Sequence, residues 1–236
     1  MSAILTGTEY FQWAGTPYAT MQDATWSAWV RPTDLSADIG VISLNRNGSS
    51  SNYERFTIEG GTALDPIEII RRTAAGAKSD NGGSITINVW NHMLCRMIGS
   101  TGLEGWINGV KVAETTYGSS VNALVMDVTT FGALFASGTP SAQFIGNLAE
   151  CAIWTSLVTD PQIALLTGGR YPHLVGTAPN IYKSFSGALD SANDVNTSFT
   201  NVGGATFSAG VHPTMSTGES GSPISIVKTI LPSVQV

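Results

Sequence analysis

The sequence has few charged residues. They make up 12% of its 236 residues, about half of the roughly 25% that is usual in soluble domains, and Ser, Thr and Gly supply much of the polarity instead. With 11 Lys and Arg against 17 Asp and Glu, the net charge is -6. We therefore predict that the protein does not bind nucleic acid, because that would require a basic surface. The hydrophobic content of 42% excludes a disordered chain.

Targeting signals and long apolar runs are also lacking. The segment that begins at Met1 has no basic stretch followed by an apolar run of signal-peptide length. No stretch approaches the ~20 apolar residues that span a bilayer. We therefore expect a soluble protein made in a cytoplasm, with no membrane partner. Two cysteines, Cys95 and Cys151, are too few for a disulfide scaffold, and the sequence leaves open whether they are buried thiols or one disulfide bond.

Short runs typical of β-strands recur at roughly ten-residue spacing. They are rich in aromatic and β-branched residues and lie at 10–13, 25–30, 40–44, 55–58, 67–70, 84–89, 93–98, 130–136 and 144–154. Such runs, with little helix between them, predict an all-β jelly-roll sandwich of two antiparallel sheets. The dipeptide Asn108-Gly109 between two runs predicts a tight hairpin, because both residues tolerate positive φ.

One short helix is predicted at 159–166. Thr159 or Asp160 can cap it, Pro161 suits its first turn, and glycines follow it. Beyond it the composition changes, which indicates three regions. We predict a jelly-roll domain at 1–170, strands at 171–215 that pack on or extend it, and a linker with an apolar arm at 216–236.

Catalytic signatures are scarce. The segment 218–223 superficially resembles the nucleophile loop of chymotrypsin-like proteases, but too little chain follows it, and we interpret it as a linker. No metalloprotease or nucleotide-binding motif is present. A glycosidase needs two facing carboxylates, whereas Asp65 and Glu68 are separated by Pro66. We therefore predict that the protein is not an enzyme and has no cofactor.

Candidate binding residues are few as well. The three histidines lie far apart in sequence and are interpreted as structural: His92, His173 and His212. Four loop residues could bind calcium but lack EF-hand spacing: Asp34, Asp38, Asp80 and Asn81. No metal site is therefore predicted. Because an exposed aromatic ring can cover the apolar face of a sugar, Trp106 beside the hairpin turn is the candidate glycan-binding residue.

Several landmarks occur in order between residues 8 and 167. They are the strand at 25–32, Trp90-Asn-His92, the hairpin at 105–111, the long strand at 144–154 and the segment 157–166. Together they resemble the laminin-G-like, concanavalin A-like lectin-glucanase jelly roll. The family's common Asp before Glu150 is replaced here by Ala149, so the resemblance does not imply a calcium site.

The segment 167–214 carries landmarks of its own, among them Tyr171-Pro172 and Val211-His-Pro213. They are similar to segments that follow the jelly roll in laminin-G-like virion proteins of tailed phages. This resemblance implies a non-enzymatic virion protein, made in the host cytoplasm, that acts as a capsid decoration or accessory component. Its partners would be capsid or tail subunits and further copies of itself.

Three hypotheses extend or oppose this interpretation. Residues 224–236 would add as a strand to a partner, because their β-branched composition follows a flexible linker. The alternative function is a tail-associated or secreted lectin that binds a cell-surface polysaccharide. A glycoside hydrolase is the third possibility.

Overall fold

The protein is an antiparallel β-sandwich with one α-helix in the described part of the chain. The computed structural model describes residues 2–18, 20, 22–74, 76–117, 125–136, 138–185, 194–195, 199–208 and 213–215. The predicted all-β jelly roll of two antiparallel sheets is confirmed. The proposed arm at 224–236 and His212 lie outside the described residues.

The strands follow one another along the chain with short connections. In order they are β1 (Ser2–Thr6), β2 (Tyr10–Trp13), β3 (Ala24–Pro32), β4 (Ile39–Asn45), β5 (Tyr53–Ile58), β6 (Ile67–Thr73), β7 (Gly76–Gly82), β8 (Asn91–Ile98), β9 (Gly102–Ile107), β10 (Val110–Thr116), β11 (Val128–Phe131), β12 (Leu134–Ala136), β13 (Thr139–Ser141), β14 (Ile145–Trp154), β15 (Ile181–Lys183), β16 (Thr200–Val202) and β17 (Thr206–Ser208). The helix α1 spans Asp160–Thr167, and a 3-10 turn follows at Pro172–Leu174.

Two large sheets form the sandwich. The eight-stranded sheet has the order β10-β9-β8-β3-β14-β1-β17, with β15 also paired to β14. The seven-stranded sheet has the order β16-β2-β11-β4-β5-β6-β7, and β12 and β13 form a separate hairpin. The strands after residue 180 therefore add to both sheets, with β15 and β17 in one and β16 in the other.

The predicted hairpin turn and the predicted helix, which both depend on residues close in sequence, are confirmed. Asn108 and Gly109 have positive φ of 50° and 80°, and Ile107 pairs with Val110 across the turn. The helix begins after Thr159, which forms a capping box with Gln162, and a proline stands in its first turn. Both elements depend on residues that are close in sequence, so tertiary context did not alter them.

The predicted strand at 84–89 is wrong. These residues form a loop in which Asn88 has a positive φ of 59° and donates its backbone N–H to the Pro32 carbonyl oxygen at 2.7 Å. Of the alternating apolar residues, Ile85 is buried, whereas Ile87 and Val89 are exposed. The neighbouring segment Gly76–Gly82, which lacks β-branched residues, forms the edge strand because it pairs along its length with β6.

An apolar core lies between the sheets and includes Phe11, Trp26, Phe56 and Phe131. Cys95 on β8 and Cys151 on β14 are both free and fully buried. Of the two alternatives that the sequence left open, the structure therefore has buried thiols and not a disulfide bond. Burial raises the pKa of both thiols well above the usual value. Both cysteines therefore act as small buried side chains.

A charged network also crosses this core. Arg71 on β6 and Glu54 on β5 form an ion pair of 2.7 Å between Nε and Oε1, with side chains 1% and 0% exposed. The Tyr18 hydroxyl donates to the other Glu54 oxygen at 2.5 Å, and Trp26 Nε1 donates to the Tyr18 oxygen at 3.1 Å. Because Trp26 lies on β3, the network joins the two sheets through the core.

Candidate functional site

The outer surface of the eight-stranded sheet is covered. The helix α1 and the segments beside it pack against this sheet and enclose a second apolar cluster. Its buried members are Leu94, Trp106, Ala152, Trp154, Val158, Ile163, Leu166, Val175 and Tyr182. Among the residues that the structure describes, the centre of this surface is therefore closed.

Trp106 belongs to that covered surface. It is 4% exposed, with the guanidinium carbon of Arg96 4.4 Å and Nζ of Lys111 5.3 Å from its ring centre. Arg96 is in turn held by Glu104 and Asp160, each at 2.8 Å. The prediction that Trp106 is exposed for stacking on a sugar is wrong, because the helix and these cations cover its ring.

His92 lies on the same covered surface and forms a pair with a serine. Its Nε2 is 2.9 Å from Ser27 Oγ, and its Nδ1 is 3.1 Å from Thr167 Oγ1. A serine-histidine pair invites comparison with a hydrolase nucleophile, but both side chains are 1% exposed. A substrate cannot reach them, so this pair is structural, as predicted for His92.

Acidification should destabilise the fold through His92. Burial lowers its pKa to about 3 from 6.5, so the unfolded chain binds a proton more readily than the folded one. The stability that the neutral ring contributes is present above pH 6.5. It is lost as the pH falls towards 3, by up to about 1.4 kcal/mol per pH unit. Urea unfolding at pH 7, 6, 5 and 4 should show a steeper loss for the wild type than for His92→Gln, and parallel curves would refute the assignment.

The seven-stranded sheet presents an open outer surface at β5, β6 and β7. The strand register places alternate residues of these strands on it, with Tyr53 opposite Arg72, Arg55 opposite Ile70 and Thr57 opposite Glu68. Towards β4, the β12–β13 hairpin crosses this outer surface. It lies so close to the sheet that a Cβ atom added to Gly40 would be 2.6 Å from the Leu134 backbone nitrogen. We call the uncovered part, with Tyr53, Arg55, Glu68, Ile70 and Arg72, the arginine face.

Arg55 and Arg72 both contact the ring of Tyr53. The guanidinium carbon of Arg55 is 3.6 Å from the ring centre, and that of Arg72 is 5.8 Å from it. Arg72 also donates to the Tyr53 hydroxyl at 3.3 Å. Arg55 is half-buried and Arg72 is exposed. Stacking on a ring fixed in the sheet limits the freedom of both side chains.

Glu68 is the acidic residue of the arginine face. Its pKa is raised to about 7, first by burial and then by the negative charges of Glu59 and Asp38, while Thr57 and Arg55 act in the opposite direction. Thr57 Oγ1 lies 3.5 Å from a carboxylate oxygen of Glu68. The carboxyl group is therefore partly protonated near neutral pH.

Aromatic residues do not form an exposed surface for sugar stacking. Every Trp, Tyr and Phe in the sequence belongs to the described residues, and each is buried or half-buried. On the arginine face, Tyr53 is 5% exposed and is covered by a guanidinium. A ligand there would be held by hydrogen bonds and charge instead of by ring stacking.

The sequence predicted no metal site, because its histidines lie far apart and its acidic loop residues lack EF-hand spacing. In the described residues, no group of three or more His, Cys, Asp and Glu side chains is arranged to hold a metal ion. Asp34 and Asp38 line a small cleft, whereas Asp80 accepts a hydrogen bond of 2.7 Å from Thr115. Glu150, which follows Ala149, accepts a hydrogen bond from the Tyr182 hydroxyl.

No helix of the described residues has the length and apolar character to cross a membrane.

The arginine face was missed by the sequence-based search. Arg55, Glu68 and Arg72 lie on two strands, and only the register of β5 against β6 brings them together. A usable signal was the clustering of Arg55, Arg71 and Arg72 in a chain that has 11 basic residues. Alternation within β6 also indicated that Arg71 and Arg72 face opposite sides.

Comparison with known proteins agrees with the architecture. The model of the concanavalin A-like lectin/glucanases superfamily matches residues 5–164. Among solved structures, the CBM40 of the Ruminococcus gnavus IT-sialidase, bound to α2,6-sialyllactose, is similar with 14% identity and a TM-score of 0.59, covering 71% of this chain and 97% of that chain. The native heptameric SAP-like pentraxin from Limulus polyphemus has 13% identity and a TM-score of 0.61, covering 88% and 95%. At such identities the likeness establishes a shared fold. No curated protein sequence matches this chain.

Proposed function

Because the chain belongs to the concanavalin A-like lectin/glucanase superfamily, we propose that it is a non-catalytic carbohydrate-binding module whose ligand lies on the arginine face. The observation that carries this proposal is the contrast between the two outer surfaces of the sandwich. One is covered by a helix, and the other presents a half-buried, ring-stacked arginine among polar groups. The likeness to a CBM40 bound to sialyllactose supports the same interpretation.

The strand register places one carboxylate, Glu68, on the arginine face itself. Glycoside hydrolysis requires two carboxyl groups about 5 to 10 Å apart across the scissile bond. On β5, β6 and β7, the register turns Glu68 outward opposite Thr57 and Asn81, whereas Glu54 faces the core and is paired with Arg71. The remaining acidic neighbours of Glu68 are Glu59 and Asp38, beyond the strand ends.

A glycan panel with a parallel turnover assay tests this function. The full chain should bind a subset of glycans, and no bound glycan should be cleaved on prolonged incubation. Arg55→Met should weaken binding, whereas Arg170→Ala, which lies beyond α1 and away from the arginine face, should leave it unchanged. The proposal fails if the folded protein binds no glycan or if it releases a cleaved product.

A second candidate is a structural protein on the surface of a phage particle, made in the host cytoplasm and incorporated into the virion. The observation that favours it is the burial of Trp106, because a decoration protein has no need of an exposed aromatic surface. The low charge also suits a subunit that packs against neighbours with little desolvation cost. Mass spectrometry of purified particles should then find many copies of this chain per particle, and absence from the particles would exclude this candidate.

A further inference from the structure

We infer that the ligand of the arginine face is a sugar that carries a carboxylate, and that Arg55 and Arg72 determine this specificity. The inference rests on the proposed function and narrows it from carbohydrates in general to acidic ones. It is based on how the guanidinium groups of Arg55 and Arg72 pack against Tyr53 and on their lack of ion-pair partners among the described residues.

Arg55 has a buried donor without an acceptor. Its Nε is buried and has no hydrogen-bond partner among the described residues, whereas the residue as a whole is half-buried, so a ligand would bind the terminal nitrogens of the guanidinium. Stacking at 3.6 Å on Tyr53 holds the guanidinium in place. A planar guanidinium fixed in this way is suited to a carboxylate, because parallel N–H groups can bind both carboxylate oxygens.

Arg72 adds a second positive charge from the neighbouring strand. It is directly opposite Tyr53 in the β5–β6 register, so both arginines lie close to the same ring. Its exposed guanidinium has the Tyr53 hydroxyl as its hydrogen-bond partner and keeps further donors for a ligand. The arrangement therefore offers donors from two strands to one anionic group.

The charge balance of the chain also favours an anionic ligand. Four of the other basic residues in the described structure are joined to carboxylates: Arg71, Arg96, Lys111 and Lys183. Arg55 and Arg72 take part in no ion pair with any described residue. In a protein of net charge -6, two adjacent cations without ion-pair partners are a local positive site. Neutral sugars would gain little from it, and the face has no exposed ring for them to stack on.

Glu68 makes the site sensitive to pH. The groups that act on its carboxyl are Glu59 and Asp38, which raise its pKa, and Thr57 and Arg55, which lower it. Asn81 on β7 lies opposite Glu68 in the register and is bonded to Glu59. Since the pKa of Glu68 is about 7, the group is mostly neutral at pH 6 and mostly charged at pH 8. An acidic sugar remains ionised throughout, so repulsion from Glu68 should weaken its binding as the pH rises.

The experiment is a titration of the full chain at 150 mM salt with three probes: 3′-sialyllactose, lactose and a galacturonic acid oligosaccharide. At least one acidic probe should bind about tenfold or more tightly than lactose, since tenfold corresponds to 1.4 kcal/mol, within the range of one charge-assisted hydrogen bond. Arg55→Met, which keeps an apolar stem over Tyr53, and Arg72→Gln should each lose about tenfold in affinity. Arg170→Ala is the matched control and should bind as the wild type does.

The pH dependence of binding is tested by comparing the wild type with Glu68→Gln at pH 6 and pH 8. The wild type should bind the acidic probe more tightly at pH 6 than at pH 8, whereas Glu68→Gln should bind equally at both values and as tightly as the wild type at pH 6. Circular dichroism and melting temperature verify that each variant is folded.

The outcomes separate the inference from the function on which it rests. Equal binding of lactose and the acidic probes, lost in Arg55→Met, would overturn the acidic specificity and leave a glycan-binding module. Acidic binding that survives both arginine substitutions would overturn the assignment of the site. Failure of every probe and of the whole glycan panel would overturn both the inference and the proposed function.

Discussion

Glu54→Gln is expected to lower the free energy of unfolding by about 3 to 5 kcal/mol, the usual cost of removing one partner from a buried ion pair. The substitution keeps the shape of the side chain and can keep the bond from Tyr18. It removes the charge that compensates Arg71, whose side chain is 1% exposed and cannot turn towards water. Arg71 would keep its bonds to the carbonyl oxygens of Gln22 and Gly99, which do not neutralise it.

Urea unfolding followed by tryptophan fluorescence measures this loss. Glu114→Gln is the matched control, because Glu114 is paired with Lys111 at 3.2 Å but is 62% exposed, and it should change stability by at most about 0.5 kcal/mol. Adding Arg71→Met to Glu54→Gln should recover much of the loss, since it removes the uncompensated buried charge. A loss below about 1 kcal/mol for Glu54→Gln would show that the network does not hold the sheets together.

Trp154→Ala is expected to cost about 3 to 5 kcal/mol, in the range measured for large-to-small substitutions of buried aromatic residues. Trp154 is fully buried between the eight-stranded sheet and the helix layer. Its Nε1 also donates to the Thr177 carbonyl oxygen at 2.8 Å. The substitution would remove one of the two tryptophans of that cluster and leave the Thr177 oxygen without this donor.

The consequence should be confined to the covered side of the sandwich. Amides of α1 should exchange faster with solvent, while glycan binding at the arginine face should be unchanged in the folded protein. Leu174→Ala is the control, because Leu174 lies on the same side but is 39% exposed, and its effect should stay within about 0.5 kcal/mol. Unchanged exchange of α1 in Trp154→Ala would contradict the role given to this cluster.

Under the proposed function, the two outer surfaces have separate roles in stability and in recognition. The helix layer buries Trp106 and Trp154 and closes the eight-stranded sheet. The opposite sheet leaves Arg72 exposed and Arg55 half-buried, where a ligand can reach them. Substitutions on the first surface should therefore reduce stability, and substitutions on the second should reduce binding.

Local signals in the sequence predicted local structure correctly. The turn at Asn108-Gly109 and the helix after Thr159 depend on φ preferences and capping within a few residues. The alternation of apolar residues was enough to predict an all-β sandwich, because a strand buried on one side has a period of two. The ordered landmarks then identified the family before any distance between strands was known.

The alternation of apolar and polar residues along the strands does not indicate which outer surface of the sandwich a helix will cover. Trp106 has the pattern of an exposed residue beside a turn, and its burial depends on a helix that begins more than fifty residues later in the chain. The run at 84–89 has strand composition, but Gly76–Gly82 forms the strand because β6 pairs with it. In both places, contacts between distant segments outweighed local preference.

The sequence by itself determined the fold class, the hairpin, the helix and the small number of charges, because these depend on composition and on neighbours along the chain. Only the tertiary structure decided that Glu54 and Arg71 meet in the core and that Arg55 and Arg72 share the ring of Tyr53 on an open surface. The physical reason is that strand register and the covering of a sheet are set by pairing between distant segments. Adjacent residues such as Arg71 and Arg72 therefore point to opposite sides, one to stabilise the core and one to the proposed binding surface.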